Sequence, residues 1–222
     1  MWTTDTLEWI DIELTSFCNI RCKGCFRELS THADKILNKT YLDITTIKEK
    51  FKKEMFPNIK IINFCGSVDE PTSHPQFFEI VKHFASWDCH INVATNGSLR
   101  SEKWWEDLAT ILPSSHRVTW GIDGSDELSE VYRQGSNFKK VQGQKKELEK
   151  QGYDTYMVFV MTSLDTALKR NTMRAEKGER ELPEKLVTKS WKDTRKNMGG
   201  LKALFGKNFA LVHNDKHLDS KE

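Results

Sequence analysis

The sequence predicts an α/β fold in which repeated βα units build a parallel sheet. Short apolar runs alternate along the chain with longer stretches in which apolar residues recur at helical spacing. Consecutive units of this kind require parallel strands joined by right-handed crossovers. Polar motifs that contain glycine follow the predicted strands, at the end of the sheet where ligands gather in such folds. The sequence therefore predicts both the architecture and the end of the sheet that carries the site.

The predicted elements follow one another in a regular order. Four strands are predicted over Trp9 to Leu14, Ile59 to Phe64, Ile91 to Ala94 and Arg117 to Ile122. The helices between them are predicted over Ile44 to Met55, Gln76 to Trp87 and Glu102 to Leu112. The alternation continues with helices over Phe138 to Lys150, Leu164 to Lys177 and Glu184 to Phe205, and with strands over Thr155 to Met161 and Phe209 to Val212.

Three cysteines follow the first predicted strand in the spacing Cys-x-x-x-Cys-x-x-Cys. They are Cys18, Cys22 and Cys25. Three thiolates on one short loop can hold three irons of a cubane 4Fe–4S cluster and leave the fourth iron open to a small molecule. The alternative of a zinc site would need a fourth ligand, for which His32 is the nearest histidine. Disulfides are disfavoured by the odd total of five cysteines and by the absence of a signal-peptide pattern. Cys65 and Cys89 lie in apolar runs and are expected to be small buried hydrophobes.

The cysteine spacing and four later motifs together resemble the radical S-adenosylmethionine (SAM) superfamily. In order, the motifs are Cys18-Asn-Ile-Arg-Cys22-Lys-Gly-Cys25-Phe26, Gly66-Ser67-Val-Asp69-Glu70-Pro71, Ala94-Thr-Asn96-Gly97, Trp120-Gly-Ile-Asp123-Gly124 and Tyr132-Arg133-Gln-Gly135. The resemblance covers about residues 5 to 135. Each later motif alone is a common turn or element end, and their order makes the resemblance specific.

The resemblance implies a partial TIM-like barrel that binds a 4Fe–4S cluster and SAM. Its cluster ligands would be Cys18, Cys22 and Cys25. Its SAM-binding residues would be Phe26, Gly66, Ser67, Glu70, Asn96, Asp123 and Arg133.

Several of these residues match the groups that SAM carries. Within the resemblance, Glu70 supplies an acid for the ammonium of the methionine moiety, and Arg133 supplies a cation for its carboxylate. Asn96 and Asp123 can hydrogen-bond the ribose hydroxyls, and the ring of Phe26 can pack against the adenine beside the cluster.

Two positions depart from the family pattern. Asp69 stands where the family generally has a second glycine before the acid, and Gly24 replaces an aromatic residue often found before the third cysteine. Asp69 adds a carboxylate and a Cβ where close approach of the backbone, as at Gly66, is wanted. We therefore expect Asp69→Gly to strengthen SAM binding or to leave it unchanged.

The composition changes after residue 135, which predicts two domains. Residues 1–135 hold 15 Lys and Arg against 20 Asp and Glu, whereas residues 136–222 hold 19 against 12, and all five cysteines lie in the first part. The complete family barrel has six βα units, and only four fall before residue 135. We predict a radical SAM core over residues 1–135 and a segment of different origin over residues 136–222.

The later segment resembles the carboxyl-terminal half of phage zeta-toxin-like P-loop kinases. The resemblance rests on residues 152–171, 182–185, 190–191 and 197–206. Arg170, Arg174 and Arg180 match the arginine-rich lid of that group, which clamps phosphate oxygens. The phosphate loop that such kinases require is missing from the whole sequence, which makes kinase activity improbable.

The join has two interpretations. The segment either forms a separate lobe or supplies the missing βα units of a truncated barrel. We expect a fusion whose second part completes the barrel, with the strand Thr155 to Met161 parallel to the strand Arg117 to Ile122 in one sheet. The reason is that a four-stranded parallel sheet would otherwise expose an apolar edge.

These features predict a radical SAM enzyme that cleaves SAM reductively to a 5′-deoxyadenosyl radical, which acts on a substrate that the sequence does not identify. The alternative is a truncated or chimeric fragment that binds a cluster without turnover.

The resemblance implies a one-electron donor such as flavodoxin or ferredoxin, and an oxygen-sensitive cluster predicts a cytoplasmic location. No apolar stretch approaches the ~20 residues needed to cross a membrane. The net charge of +2 gives no clear nucleic-acid footprint.

Overall fold

The computed structural model describes residues 3–22, 25, 27, 40–67, 69–123, 133–178 and 181–215. These residues form two units. The first contains the described residues up to Ile122 together with residues 133–154, and the second contains Asp123 and residues 155–215.

Four parallel strands form the sheet of the first unit in the order β1-β3-β4-β5. They are β1 (Trp9–Ile12), β3 (Ile61–Phe64), β4 (His90–Thr95) and β5 (Arg117–Trp120). Phe64 pairs with Ile12 on one side and with Val93 on the other. The predicted parallel sheet and its four strands are confirmed, with bounds that differ by a few residues.

The helices of the first unit are α1 (Ile44–Lys50), α2 (Phe77–Ala85), α3 (Glu102–Ile111) and α4 (Phe138–Lys150). The predicted helix that began at Ile44 ends at Lys50, and a separate 3₁₀ turn covers Lys53–Met55. α3 begins after Ser101, whose hydroxyl accepts a hydrogen bond from the backbone N–H of Trp104. α4 packs against α3, so this helix belongs to the first unit, and the boundary between the units falls after Asp154 rather than at residue 135.

The core lies on one face of the sheet. The strands alternate buried and less buried positions, and their fully buried side chains include Ile62, Phe64 and Ile91. The buried face of α2 meets them, because the ring of Phe84 packs edge-on against Phe64 with centroids 5.7 Å apart. Burying such large apolar side chains supplies most of the stabilisation of a unit like this.

The opposite face of the sheet carries a chain of polar side chains that crosses all four strands, here called the polar ladder. The amide nitrogen of Asn63 donates to a carboxylate oxygen of Asp11 at 2.7 Å. The amide nitrogen of Asn92 donates to the amide oxygen of Asn63 at 2.8 Å, and the hydroxyl of Thr119 donates to the amide oxygen of Asn92 at 3.4 Å. Only one face of this sheet is therefore apolar.

A short antiparallel pair, β2 (Arg21–Cys22) with β6 (Arg133–Gln134), was not predicted from the sequence. Its register places Cys22 opposite Arg133. The pair therefore connects Cys22, the second cysteine of the motif, to Arg133, which the resemblance predicts to bind the carboxylate of SAM.

The second unit contains α5 (Leu164–Glu176), α6 (Glu184–Phe205) and the strands β7 (Met157–Met161) and β8 (Phe209–His213). β7 pairs with β8 in a parallel two-stranded sheet. The prediction that this strand extends the first sheet beside β5 is therefore wrong: among the described residues, β5 is an edge strand of its sheet. The physical reason is that β8 offers β7 five backbone pairings in register, and α6 packs against both strands.

No helix within the described ranges combines the length and apolar character that a membrane span requires.

Candidate functional site

The candidate site lies in the first unit, where loops follow the carboxyl ends of β1, β3 and β4. These loops carry the cysteines, the pair Asp69 and Glu70, and Asn96. The sequence predicted that ligands gather at this end, and the side chains below show how the loops are tied together.

Backbone hydrogen bonds hold the cysteine loop at its start and within it. Before it, the backbone N–H of Ser16 donates to the carbonyl of Thr40 at 3.0 Å. Within it, the backbone N–H of Cys25 donates to the carbonyl of Cys22 at 3.0 Å. Cys18, Cys22 and Cys25 are all free cysteines that are partly exposed as residues. An anchored loop with three free cysteines is a suitable cradle for a metal group.

The donor set of three cysteine thiols on one loop is the set that an iron–sulfur cluster takes. A zinc ion needs its ligands to meet at one point, whereas each thiolate of a cubane cluster binds a different iron. His32, which the zinc alternative requires, lies outside the described residues.

Electrostatics link Cys18 to the neighbouring loops. Burial raises the pKa of the Cys18 thiol, and the nearby Glu70 carboxylate and Cys25 thiol act in the same direction. The side-chain amide of Asn96 donates to the sulfur of Cys18 at 3.8 Å and to the side-chain oxygen of Asn19 at 3.0 Å. The loop after β4 therefore contacts the first cysteine directly.

Glu70 is a buried carboxylate whose two oxygens are both occupied. The residue is 2% exposed. One oxygen accepts from the backbone N–H and the hydroxyl of Thr72, at 3.3 and 2.6 Å, and from the hydroxyl of Thr95 at 2.6 Å. The other accepts from the backbone N–H of Asn96 at 2.7 Å. Glu70 thus joins the loop after β3 to the end of β4.

Asp69 is also buried, at 8% exposure, but only one of its carboxyl oxygens has a hydrogen-bond partner among the described residues. Its Oδ2 accepts from the backbone N–H of Thr15 at 3.0 Å, and its Oδ1 has no hydrogen-bond partner among the described residues. Burial raises the pKa of Asp69 to about 8, and the carboxylates of Glu13 and Glu70 act in the same direction, whereas hydrogen bonds from the backbones of Thr15 and Leu14 lower it. One oxygen of this buried carboxyl is therefore without a hydrogen-bond partner among the described residues.

Gly66 and Ser67, which belong to the predicted SAM motif, line the same loop. A Cβ on Gly66 would collide with the backbone and the carboxylate of Asp69, so this position has room only for glycine. The backbone N–H of Ser67 donates to a carboxylate oxygen of Glu13 at 2.9 Å.

The loop after β4 has a tight conformation that α4 supports. Gly97 has φ +70°, which favours glycine, and a Cβ there would also meet the side chain of Trp120. The buried amide of Gln144 on α4 donates to the carbonyl of Gly97 at 2.7 Å and accepts from the indole N–H of Trp120 at 2.9 Å. The backbone N–H of Ser98 donates to the side-chain oxygen of Asn96 at 2.8 Å and fixes that side chain.

The remaining predicted residues divide into three cases. The guanidinium of Arg133 lies against Gly121, where a Cβ would come within 2.8 Å of one of its nitrogens. Asp123 falls in the second unit. Phe26 lies outside the described residues. The structure therefore brings together Cys18, Glu70 and Asn96.

Sequence reasoning missed Thr72, Thr95 and Gln144 as supports of the site. The two threonines hold Glu70, and a Thr directly after the Glu-Pro motif is a signal that could have indicated a capping contact. Gln144 carries no such signal, because its partners lie on distant loops.

The predicted lid arginines lie in or near the second unit. A guanidinium nitrogen of Arg170 donates to the carbonyl of Asn214 at 2.7 Å, so this side chain ties α5 to the segment after β8. Arg174 is also in α5, and Arg180 lies outside the described residues. The resemblance of this segment to phage kinases stays a prediction.

Comparison with known protein families and curated proteins gives the following matches. The family model described as the Radical SAM superfamily matches residues 12–170. The tungsten-containing aldehyde ferredoxin oxidoreductase cofactor-modifying protein of Pyrococcus furiosus is 30% identical over 106 residues, which cover 47% of this chain and 28% of that protein. The S-adenosylmethionine-dependent nucleotide dehydratase of Selenomonas ruminantium is 30% identical over 90 residues, which cover 40% of this chain and 30% of that protein. The matched part thus spans less than a third of either relative.

Solved structures with a similar fold include a protein described as anSMEcpe with bound AdoMet. Its TM-score is 0.56 at 17% identity, and the match covers 96% of this chain and 53% of that chain. Streptococcus suis SuiB has a TM-score of 0.59 at 12% identity, with coverage of 96% and 50%. At these identities the likeness concerns the fold, and it supports the predicted α/β class with a parallel sheet.

Proposed function

The chain belongs to the radical SAM superfamily, whose family model matches more than half of it, and from that premise we propose that it is a SAM-dependent radical enzyme. Membership implies a 4Fe–4S cluster and SAM as cofactors. The single observation that carries the proposal is the fit of the site: three free cysteines lie on an anchored loop, and Asn96 of the loop after β4 contacts the first of them.

The cluster would be held by Cys18, Cys22 and Cys25. When bound, the cluster and SAM together supply reductive cleavage of the sulfonium to a 5′-deoxyadenosyl radical. The protein positions the reactants. The β2–β6 pairing fixes Cys22, and Asn96 contacts Cys18.

The SAM-binding residues remain those that the resemblance implies. We propose that Gly66, Ser67 and Glu70 form the loop that receives the methionine moiety, with Arg133 near its carboxylate. Asn96 lies between Glu70 and Cys18, where it can meet a ligand that spans both. Phe26 and Asp123 are proposed contacts of the adenine and the ribose, respectively.

The substrate, the electron donor and the location belong to the same proposal. A one-electron donor such as flavodoxin or ferredoxin would reduce the cluster, and a reducing cytoplasm would keep it intact. The segment 136–222 is proposed to be a fused module of kinase-like origin. A second candidate is a cluster-binding fragment without turnover, which is favoured by the four-stranded sheet and by the partial coverage of the curated relatives.

Metal uptake tests the proposal. Reconstituted anaerobically, the protein should bind about four irons and show a broad brown chromophore, and Cys22→Ala should abolish both. Cys89→Ala is the matched control, because Cys89 is buried in the core outside the loop. Stoichiometric zinc without iron uptake would contradict the cluster. An assay for 5′-deoxyadenosine with a reductant then separates the enzyme, which produces it, from the inert fragment, which does not.

A further inference from the structure

The second unit concentrates positive charge on one helix. The net charge of the whole chain is +2, but residues 136–222 hold 19 Lys and Arg against 12 Asp and Glu. In α6, which covers Glu184–Phe205, six residues are basic and two are acidic. All six basic residues are exposed. The solvent-facing side of a single long helix therefore carries much of this charge.

Four of the basic residues of α6 form a straight row, here called the lysine row. They are Lys185, Lys189, Lys192 and Lys196. At about 100° and about 1.5 Å per residue, they fall within an arc of about 60° and extend over about 16 Å. Neither acidic residue of α6 falls within this arc. A helix face that is only solvated mixes charges of both signs, and this face does not.

The charge of the lysine row is largely uncompensated. In the part of the chain that the structure describes, no ion pair involves Lys185 or Lys192. Lys189 and Lys196 share one carboxylate, that of Asp193, at 2.7 and 3.8 Å. Their side chains are nevertheless 61% and 77% exposed. One carboxylate thus offsets four positive charges.

The surface along the lysine row is open to a partner. The row lines a recess of about 670 Å³ together with Glu184, Thr188 and Asp193. Gly199 and Gly200 follow the row along α6, and a Cβ on either would meet no described atom within 4 Å. Glycine destabilises a helix interior relative to alanine, and no packing contact explains this pair. The two glycines leave the backbone of α6 accessible to close approach.

A membrane surface does not fit the lysine row. A helix that lies on a bilayer buries large apolar side chains beside its basic ones, and α6 has no exposed large apolar side chain. The exposed Val158 and Val160 of β7 flank the buried Phe159, so they point to the uncovered side of the sheet. α6 packs against that sheet, so the valines and the lysine row cannot face one flat surface.

A protein partner fits the lysine row less well than a nucleic acid does. Stable protein interfaces have an apolar or aromatic centre. The aromatic residue of α6 nearest the row, Trp191, is engaged within the unit: its indole N–H donates to the carbonyl of Thr162 at 2.7 Å, and the guanidinium of Arg195 lies 4.6 Å from its ring centre. Interfaces with nucleic acids are polar and strongly positive, as this surface is.

We propose that the lysine row, with Gly199 and Gly200, binds the phosphodiester backbone of a nucleic acid. Phosphates recur about every 3.4 Å along the axis of each strand of a duplex, so a row of about 16 Å can contact several of them. Such contacts position a nucleic acid without reading its sequence. The inference does not depend on the proposed function, because α6 carries none of the proposed cofactor-binding residues.

Fluorescence anisotropy with the full chain tests this binding. The probes are a labelled RNA duplex of about 20 base pairs, a DNA duplex of the same sequence and the single RNA strand. At least one probe should bind in the micromolar range at about 50 mM salt. Its affinity should fall about 40- to 150-fold between about 50 and 200 mM salt, as expected for three or four neutralised phosphates. The probe that binds most tightly identifies the kind of nucleic acid.

Variants of the lysine row give the sharper test. Lys185→Gln combined with Lys192→Gln removes two charges without breaking an ion pair. It should weaken binding about tenfold to a hundredfold at about 0.1 M salt and reduce the slope of log affinity against log salt by about two. Lys48→Gln combined with Lys50→Gln, at exposed positions of α1, is the matched control and should change the affinity by less than about twofold. Circular dichroism checks that each variant is folded.

A third variant tests the glycines. Gly199→Gln combined with Gly200→Gln adds bulk and favours the helix but leaves the charge unchanged. It should weaken binding severalfold while the salt slope stays the same. Unchanged binding would overturn the contact with the backbone of α6.

Three other outcomes would overturn the proposal as a whole. The first is an equal loss of affinity in the α6 double variant and the α1 control, which would mean that only net charge matters. The second is an affinity of the wild-type protein that does not depend on salt. The third is tighter binding of poly-glutamate or of phosphatidylserine vesicles than of all three nucleic-acid probes, which would assign the surface to an acidic protein or a membrane.

Discussion

Replacing Glu70 by Gln should destabilise the first unit, because this carboxylate joins two loops inside the protein. The change keeps the size of the side chain and removes its charge. The amide oxygen of Gln can replace the carboxylate oxygen that accepts from Thr72 and Thr95. Its NH₂ group then faces the backbone N–H of Asn96, which now lies 2.7 Å from a carboxylate oxygen.

The expected cost follows from that mismatch. The variant loses at least one hydrogen bond to a charged acceptor and leaves a buried N–H opposite another donor, which together amount to about 3 kcal/mol. In the opposite orientation the NH₂ group can donate to the hydroxyls of Thr72 and Thr95, which also accept, but it faces the backbone N–H of Thr72. One buried N–H is therefore left opposite a donor in either orientation.

Urea unfolding followed by tryptophan fluorescence measures this cost. Six of the seven tryptophans precede residue 121, so the signal reports mainly on the first unit. Glu79→Gln, at an exposed position of α2, is the matched control and should change the free energy of unfolding by less than about 0.5 kcal/mol. A cost for Glu70→Gln as small as that of the control would refute the view that this carboxylate holds the loops together.

Two further predictions concern pH. Because burial raises the pKa of Asp69 to about 8 from 3.8, the folded apoprotein retains a proton that the unfolded chain releases, and its free energy of unfolding should fall as the pH rises from about 4 through 8. Urea unfolding of Asp69→Asn should lose most of this slope, and an unchanged slope would contradict it. Hydrogen bonds from the start of α5, of which the one from the backbone N–H of Ser163 is the largest contribution, lower the pKa of Asp215 to about 2. The ionised Asp215 therefore stabilises the second unit above pH 3.8. This stabilisation is lost as the pH falls through about 2. Asp215→Asn should flatten the acid titration of helicity by circular dichroism, and a curve that superimposes on that of the wild type would disprove this contact.

The sequence predicted which segments form strands better than it predicted which strands pair with each other. Alternating apolar residues such as Ile62 and Phe64 mark a strand because side chains on a strand alternate between faces. The same pattern in Met157–Met161 predicted a strand but not its neighbour, since an apolar run fits the edge of any sheet. β8 is its partner in the structure.

For the site, local spacing predicted the cysteines, whereas the environment of the carboxylates depends on tertiary contacts. Asp69 and Glu70 are adjacent in sequence, and the family resemblance made Glu70 the predicted ligand-binding acid. Their different hydrogen bonding depends on Thr95 and on Thr15, which come from other loops and which no local pattern connects to the motif. The two-residue pairing of Cys22 with Arg133 is likewise too short to leave a periodic signal.

The polar ladder fixes how the strands align. Many parallel sheets are apolar on both faces. A one-residue slip of a strand exchanges its two faces, and when both faces are apolar the slip still buries apolar side chains on each side. Here a one-residue slip of β3 would point Asn63 into the apolar core and break its contacts with Asp11 and Asn92 together. Because Asp11 only accepts when ionised, it also sets the direction of every amide along the chain of hydrogen bonds. The ladder therefore fixes the register of the strands. It thereby fixes the relative positions of the loops with the cysteines, with Asp69 and Glu70, and with Asn96, which follow the carboxyl ends of these strands.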